Sequence, residues 1–207
     1  MIGALTLPPT GIYTSPGNLS ISTRYVPSSN VSYTLSSNNS WVFSGSKYFP
    51  SQFVGRTARL YFRYRNGNSG SSFQGDFGVD YIRSGNGFIN NGSSNGFSTY
   101  QYNTINTVSL NSAATATGWT DIGTTESTTG GRWNLKSGST PSSNTGPSGA
   151  VSGTYYLYAE TSSPGAFNQY MWLRSDSFTI KNTYYSFYYH AYGACIGSLA
   201  TYLVLED

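Results

Sequence analysis

STPSSNTGPSGAVSGTYYLYAETSSPG, residues 139–165, joins two kinds of chemistry without a break. Its first part is Ser, Thr, Asn, Gly and Pro. These residues turn a backbone, because Gly tolerates positive φ, Pro fixes φ, and short polar side chains bond back to the chain. Its second part, TYYLYAET (154–161), alternates. Tyr156, Tyr158 and Glu160 fall on one face of a strand, and Tyr155, Leu157 and Ala159 on the other. The stretch has no Lys or Arg, and Glu160 is its one acid. An acid beside aromatic rings at a strand end needs a partner, so the segment reads as scaffold first and ion site second.

The same grammar runs along the chain. Strand-like runs recur as STRYV, VSYTL, SWVFSG, ARLYFRYR, GDFGVDYI, NTVSL, GRWNL, TYYLYAET, QYMWLRS, YYSFYYHAYG and LATYLVL, most of them separated by Asn, Gly and Ser clusters. Runs of this length bounded by turn chemistry predict a sandwich or jelly roll. Composition agrees. Of 207 residues 16% are aromatic and only 9% charged, with 19 Tyr and 24 Gly, so burial must rest on rings rather than Leu. Tyr, Val and Thr favour pleated strands, while the helix formers Glu, Lys and Gln are scarce.

A net charge of +3 is too thin for a nucleic-acid footprint. The single Cys195 rules out an intrachain disulfide and any CxxC zinc spacing. No apolar run approaches transmembrane length, so membrane insertion is not expected. MIGALTLPPTGIY has no basic n-region, and Pro8-Pro9 ends its apolar run early; a signal peptide is not expected. Residues 1–20 read as an extended arm, since Pro8, Pro9, Pro16 and Gly17 discourage pairing; the arm docks or simply frays. The Gly-, Asn- and Ser-rich segment 84–103 reads as a linker.

From Trp119 to Leu203 the order of motifs resembles the first half of a MAM domain, the jelly-roll adhesion module of receptor ectodomains and of related bacterial and phage surface proteins. The matching residues begin with Trp133, Gly138, Thr140, Pro141, Ser142, Thr145, Gly146 and Pro147. Tyr156, Tyr158 and Glu160 follow, then Phe187, Tyr189, His190, Tyr192, Gly193, Gly197 and Leu199. The family's closing segment is similar to residues 58–87, where Phe62, Gly75, Asp76, Asp80 and Ile82 match and Tyr81 replaces a second Asp. The resemblance therefore implies a circularly permuted, MAM-like jelly-roll β-sandwich over 21–207, with an extended N-terminal arm. In it, 21–83 supply the family's C-terminal half, 84–103 the linker and 104–207 its N-terminal half. The alternative is two half-modules completed by neighbouring subunits. The family's paired cysteines are absent.

Some members of that family bind a metal, and the resemblance implies a Ca²⁺ or Na⁺ site at Asp76, Asp80 and Glu160, because hard cations take several oxygens. The alternative is that each carboxylate accepts turn N–H groups or pairs with Arg. His190 reads as a hydrogen-bonded core or sheet histidine and Cys195 as a small buried filler. In RTARLYFRYR, Arg59, Arg63 and Arg65 share one face and Leu60, Phe62 and Tyr64 the other. The arginine face is either simply solvated or a contact with an acidic neighbour or anionic glycan.

These features together predict a non-enzymatic virion protein made in a host cytoplasm, a head, neck or tail component of a phage. Arg59, Arg63, Arg65, Pro8 and Pro9 are its candidate contacts with other virion proteins. Copies would form a homo-oligomer or symmetric array. The alternative is an adhesin that binds host surface glycan.

Overall fold

TYYLYAET becomes a strand because its apolar face has a second sheet to meet. The computed structural model describes residues 23–25, 33–48, 50–84, 87–88, 115–116, 118–124, 131–162 and 166–206. Its strands in chain order begin with β1 (Thr23–Tyr25), β2 (Tyr33–Thr34), β3 (Asn38–Phe43), β4 (Lys47–Tyr48), β5 (Thr57–Arg65), β6 (Phe77–Ser84) and β7 (Gly87–Phe88). They continue with β8 (Thr115–Ala116), β9 (Trp119–Thr124), β10 (Arg132–Ser137), β11 (Tyr155–Glu160) and β12 (Tyr170–Ser175). The last are β13 (Phe178–Thr179), β14 (Tyr184–Ala191) and β15 (Ser198–Leu205). Two 3-10 turns, Ser51–Phe53 and Ser72–Gly75, are the only helical elements among the described residues. The protein is all-β.

Two antiparallel sheets pack face to face. One has eight strands in the order β1-β15-β5-β12-β9-β8, with β2 on β15 and β13 on β5; the other has seven in the order β10-β11-β6-β14-β3, with β4 on β14 and β7 on β6. Of the early strands, β1 and β3 lie at sheet edges, but β5 and β6 do not. β5 lies between β15 and β12, and β6 lies between β11 and β14. β5 and β6 are thus each hydrogen-bonded to later strands on both sides. The run at 106–110, nearly all of the 84–103 segment and the arm at 1–20 lie outside the described residues.

Strand parity decides what is buried between the sheets. Leu60, Phe62 and Tyr64 point inward from β5, and Phe77 and Val79 from β6. Facing rings connect the layers: Phe62 meets Phe187 edge-on with centroids 4.9 Å apart, and Tyr64 stacks on Phe77 at 4.6 Å. Such pairs add about 0.5–1.5 kcal/mol each beyond their area burial. At one edge the Arg132 guanidinium of β10 reaches the Asp121 carboxylate of β9 at 3.6 Å, an ion pair running from sheet to sheet.

In β6 the inward parity changes after Val79. The pairing with β14 skips between Tyr188 and Ser186, which inserts an extra residue at Tyr81. Tyr81 takes φ +54°, unusual for an aromatic residue, and Ile82 then returns to the core. Among the described residues no helix is long and apolar enough to cross a membrane.

Candidate functional site

The turn-rich run at 139–154 lies as a strap over the outer face of the seven-stranded sheet. Its Pro and Gly content bends it back on itself: Thr140 N–H donates to the Pro147 carbonyl at 3.1 Å and the Thr140 hydroxyl to Thr145 O at 2.9 Å. The sheet holds it by side chains that point outward. The Tyr156 hydroxyl donates to Gly138 O at 2.8 Å, and Trp41 Nε1–H to Gly149 O at 2.9 Å. Gly78 leaves the room this requires. A Cβ there would sit 2.7 Å from Pro147 Cγ and 3.0 Å from the Trp41 ring. Trp41, Tyr156 and His190 therefore form a ring cluster under the strap, with Trp41 5.7 Å from Tyr156 and 5.5 Å from His190.

Asp76 and Asp80 both face outward toward this strap, as their even separation predicts, but they do different work. Asp80 is fully buried. Its Oδ2 accepts the N–H groups of Val151 at 2.9 Å and Ser152 at 3.2 Å, while Oδ1 accepts that of Tyr81 at 2.7 Å. Burial pushes its carboxyl up to about 7, against the pull of those three donors. It is the clasp at the strap's C-terminal end.

Asp76 instead meets Glu160. Its Oδ1 accepts the Thr161 N–H at 3.0 Å and hydroxyl at 3.2 Å. Its backbone N–H donates to Thr145 Oγ1 at 2.9 Å, which fixes the strap's middle. Burial, and then the charge of Glu160, hold the Asp76 carboxyl well above the ordinary carboxylate range. Asp76 therefore holds its proton to a higher pH than a free carboxyl does. The remaining oxygen, Asp76 Oδ2, is buried without a hydrogen-bond partner. Glu160 is buried too, accepting Ser162 N–H at 2.8 Å on Oε1 and the Tyr158 hydroxyl at 2.9 Å on Oε2.

The three acids expected to share one Ca²⁺ or Na⁺ are thus divided. Asp76 and Glu160 come together, and Asp80 stands apart with its lone pairs spent on backbone donors. Among the described residues no group of three or more His, Cys, Asp or Glu side chains is placed to hold a metal ion. The physical reason is the strap: its N–H groups reach Asp80 first.

His190 is buried, and burial lowers it to about 4, so the imidazole is neutral near pH 7. It is held by ring packing rather than by the hydrogen bond expected of it; its Nδ1 is buried without a partner. Cys195 is buried as a filler, and burial pushes its thiol up, away from reactivity.

On the eight-stranded sheet the arginine face forms as predicted, and it is richer than the sequence reading of β5 alone. Across β5 and its neighbours the outward row contains Tyr61, Tyr170, Trp172, Arg174 and Tyr202 besides Arg59, Arg63 and Arg65. Arg59 is ion-paired with Glu206, whose carboxyl burial would raise but which bonds from Ser177 and Arg59 hold below its usual range. Pro8 and Pro9 lie outside the described residues.

Another surface escaped the sequence reading. Phe43 and Tyr48 are 52% and 61% exposed on β3 and β4. Phe43 packs 5.2 Å from Tyr188, which meets Tyr81 at 6.1 Å; the Arg83 guanidinium covers the Tyr81 ring at 5.2 Å. Its outward signal was present in the parity of Trp41 and Phe43, but only the bulge at Tyr81 brings a third ring into line. No family model matches the chain, and no solved structure matches it.

Proposed function

We propose that the protein is a non-enzymatic structural and display module of a virion surface, a head, neck or tail component of a phage, built as a circularly permuted MAM-like sandwich. The observation that carries this reading is the aromatic row Phe43–Tyr188–Tyr81, exposed at Phe43 and half-buried at the two tyrosines, with exposed Tyr48 against half-buried Tyr184. Exposed rings such as Phe43 and Tyr48, backed by half-buried tyrosines, suit a contact surface, where Tyr and Phe are enriched. Asp80 supports the same reading, since both its oxygens serve the protein's own backbone. Stabilisation by rings, hydrogen bonds and the Arg132–Asp121 ion pair works equally in a reducing cytoplasm and outside a cell.

The permuted organisation draws support from β5 and β6, which sit between later strands in each sheet. Residues 1–20, with Pro8 and Pro9, would attach the module to other virion proteins, and copies would stand in a symmetric array. The test is immunogold labelling of purified particles, with and without residues 1–20. Labelled particles that lose the label on truncation support the proposal; unlabelled wild-type particles contradict it.

A second reading, a glycan-binding adhesin, is favoured by the same rings with Arg83 against Tyr81, since exposed rings stack on sugars. A glycan array separates the two: reproducible binding that Phe43→Ala abolishes favours the adhesin.

A further inference from the structure

The outer face of the eight-stranded sheet carries four of the chain's 11 cations, Arg59, Arg63, Arg65 and Arg174. The outward positions of β5, β9, β12 and β15 contain no acid. Glu206, just past β15, is ion-paired with Arg59, and its charge also acts on Arg174. Among the described residues, Arg63 and Arg65 meet rings rather than anions. The Arg63 guanidinium lies 4.8 Å from the Tyr170 ring centre, 5.5 Å from Trp172 and 5.3 Å from Tyr202, and that of Arg65 lies 5.4 Å from Tyr170. Trp172 and Tyr202 also stack on each other at 5.5 Å.

From this arrangement we infer that the face binds a polyanionic carbohydrate, a sugar chain bearing sulfate or carboxylate groups. Rings that clamp a guanidinium take away the entropy it would lose on binding, and leave it charged and partly unsolvated. The planar fork of Arg matches sulfate and carboxylate in a two-point contact. Arg63 and Arg65 are two residues apart on one strand, about 7 Å, so successive anionic groups of a chain can be met in turn.

Other polyanions fit less well. Single-stranded nucleic acid needs open rings for base stacking, whereas Trp172 and Tyr202 are each only 4% exposed, beneath the guanidinium. An acidic protein would be expected to seat an apolar core on the face. None of the exposed large apolar side chains, Phe43, Tyr48, Val54, Phe73 and Phe167, occupies these outward positions. The inference holds wherever the protein is displayed.

The test measures retention of the full chain on immobilised heparin, a sulfated polysaccharide, against neutral dextran and a single-stranded oligothymidylate of matched charge. Binding to heparin in low salt, above that to either control, is expected. Arg63→Gln/Arg65→Gln should weaken it by about tenfold or more, the worth of a lost charge-assisted bond. Arg63→Lys/Arg65→Lys should recover only part, because it restores charge without the fork. Lys136→Gln, on β10 of the other sheet, should leave it unchanged, and thermal unfolding of each variant verifies that the sandwich is intact. Absence of heparin binding, tighter binding of the oligonucleotide, or a folded double Gln variant that binds as well as wild type would overturn the inference.

Discussion

At the residue scale, Asp76, Asp80 and Glu160 lie buried on the outer face of the seven-stranded sheet, covered rather than open to solvent. Asp80 accepts three backbone N–H groups with its two oxygens. Asp80→Asn sets an amide donor against one of those donors, so it should cost about 1–3 kcal/mol, measured by urea unfolding near pH 6. The pH dependence has a definite sign. An unfolded Asp titrates near 3.8, whereas Asp80 in the fold titrates near 7 and Asp76 also well above 3.8. The folded state therefore holds protons that the unfolded chain has lost, and stability falls as pH rises from about 4 to 8. His190 acts oppositely: lowered from 6.5 to about 4, it contributes stability above 6.5 that is lost as pH falls. The two trends partly offset below pH 6.5, so the steepest loss is expected between 6.5 and 8. Urea midpoints across pH 4–9 check this, and Asp80→Asn should flatten the fall.

At the scale of elements, most strands were legible because ring-rich alternation survives in a short window. RTARLYFRYR and TYYLYAET declare their faces directly, and the observed inward and outward sets follow their parity. WTDIGT did not announce β9, since Gly123 and Asp121 break the pattern and a bulge opposite Trp172–Leu173 hides the period. The two-residue strands β4 and β13 are too short for any period. The strap's turn chemistry was plain, but its landing place was not. That depends on Gly78 and Asp80, some 70 residues away in sequence, offering space and an acceptor. For the same reason the split of the three acids could not be read in advance. Gly78→Ala should lift the strap at Pro147, costing about 1–3 kcal/mol by overpacking. Limited proteolysis should then cut within 139–154 faster than in wild type.

For the whole molecule, what matters is interleaving. The early strands β5 and β6 occupy interior places in the two sheets, and the rings of Phe62, Tyr64, Phe77 and Phe187 connect those sheets across the core. No disulfide is available to the lone Cys195, so cooperativity must come from this packing. Phe62→Ala should cost about 3–5 kcal/mol. Urea unfolding followed by both tyrosine fluorescence and far-UV circular dichroism should still show one coincident transition, because a hole beside β5 weakens both sheets together. The most direct measurement of the interleaving is native-state hydrogen exchange. The amides of Leu60, Phe62 and Val79 should exchange only with global unfolding, at the same free energy as those of Phe187 and Leu203. Release of the β5 and β6 amides while β14 and β15 stay protected would contradict it.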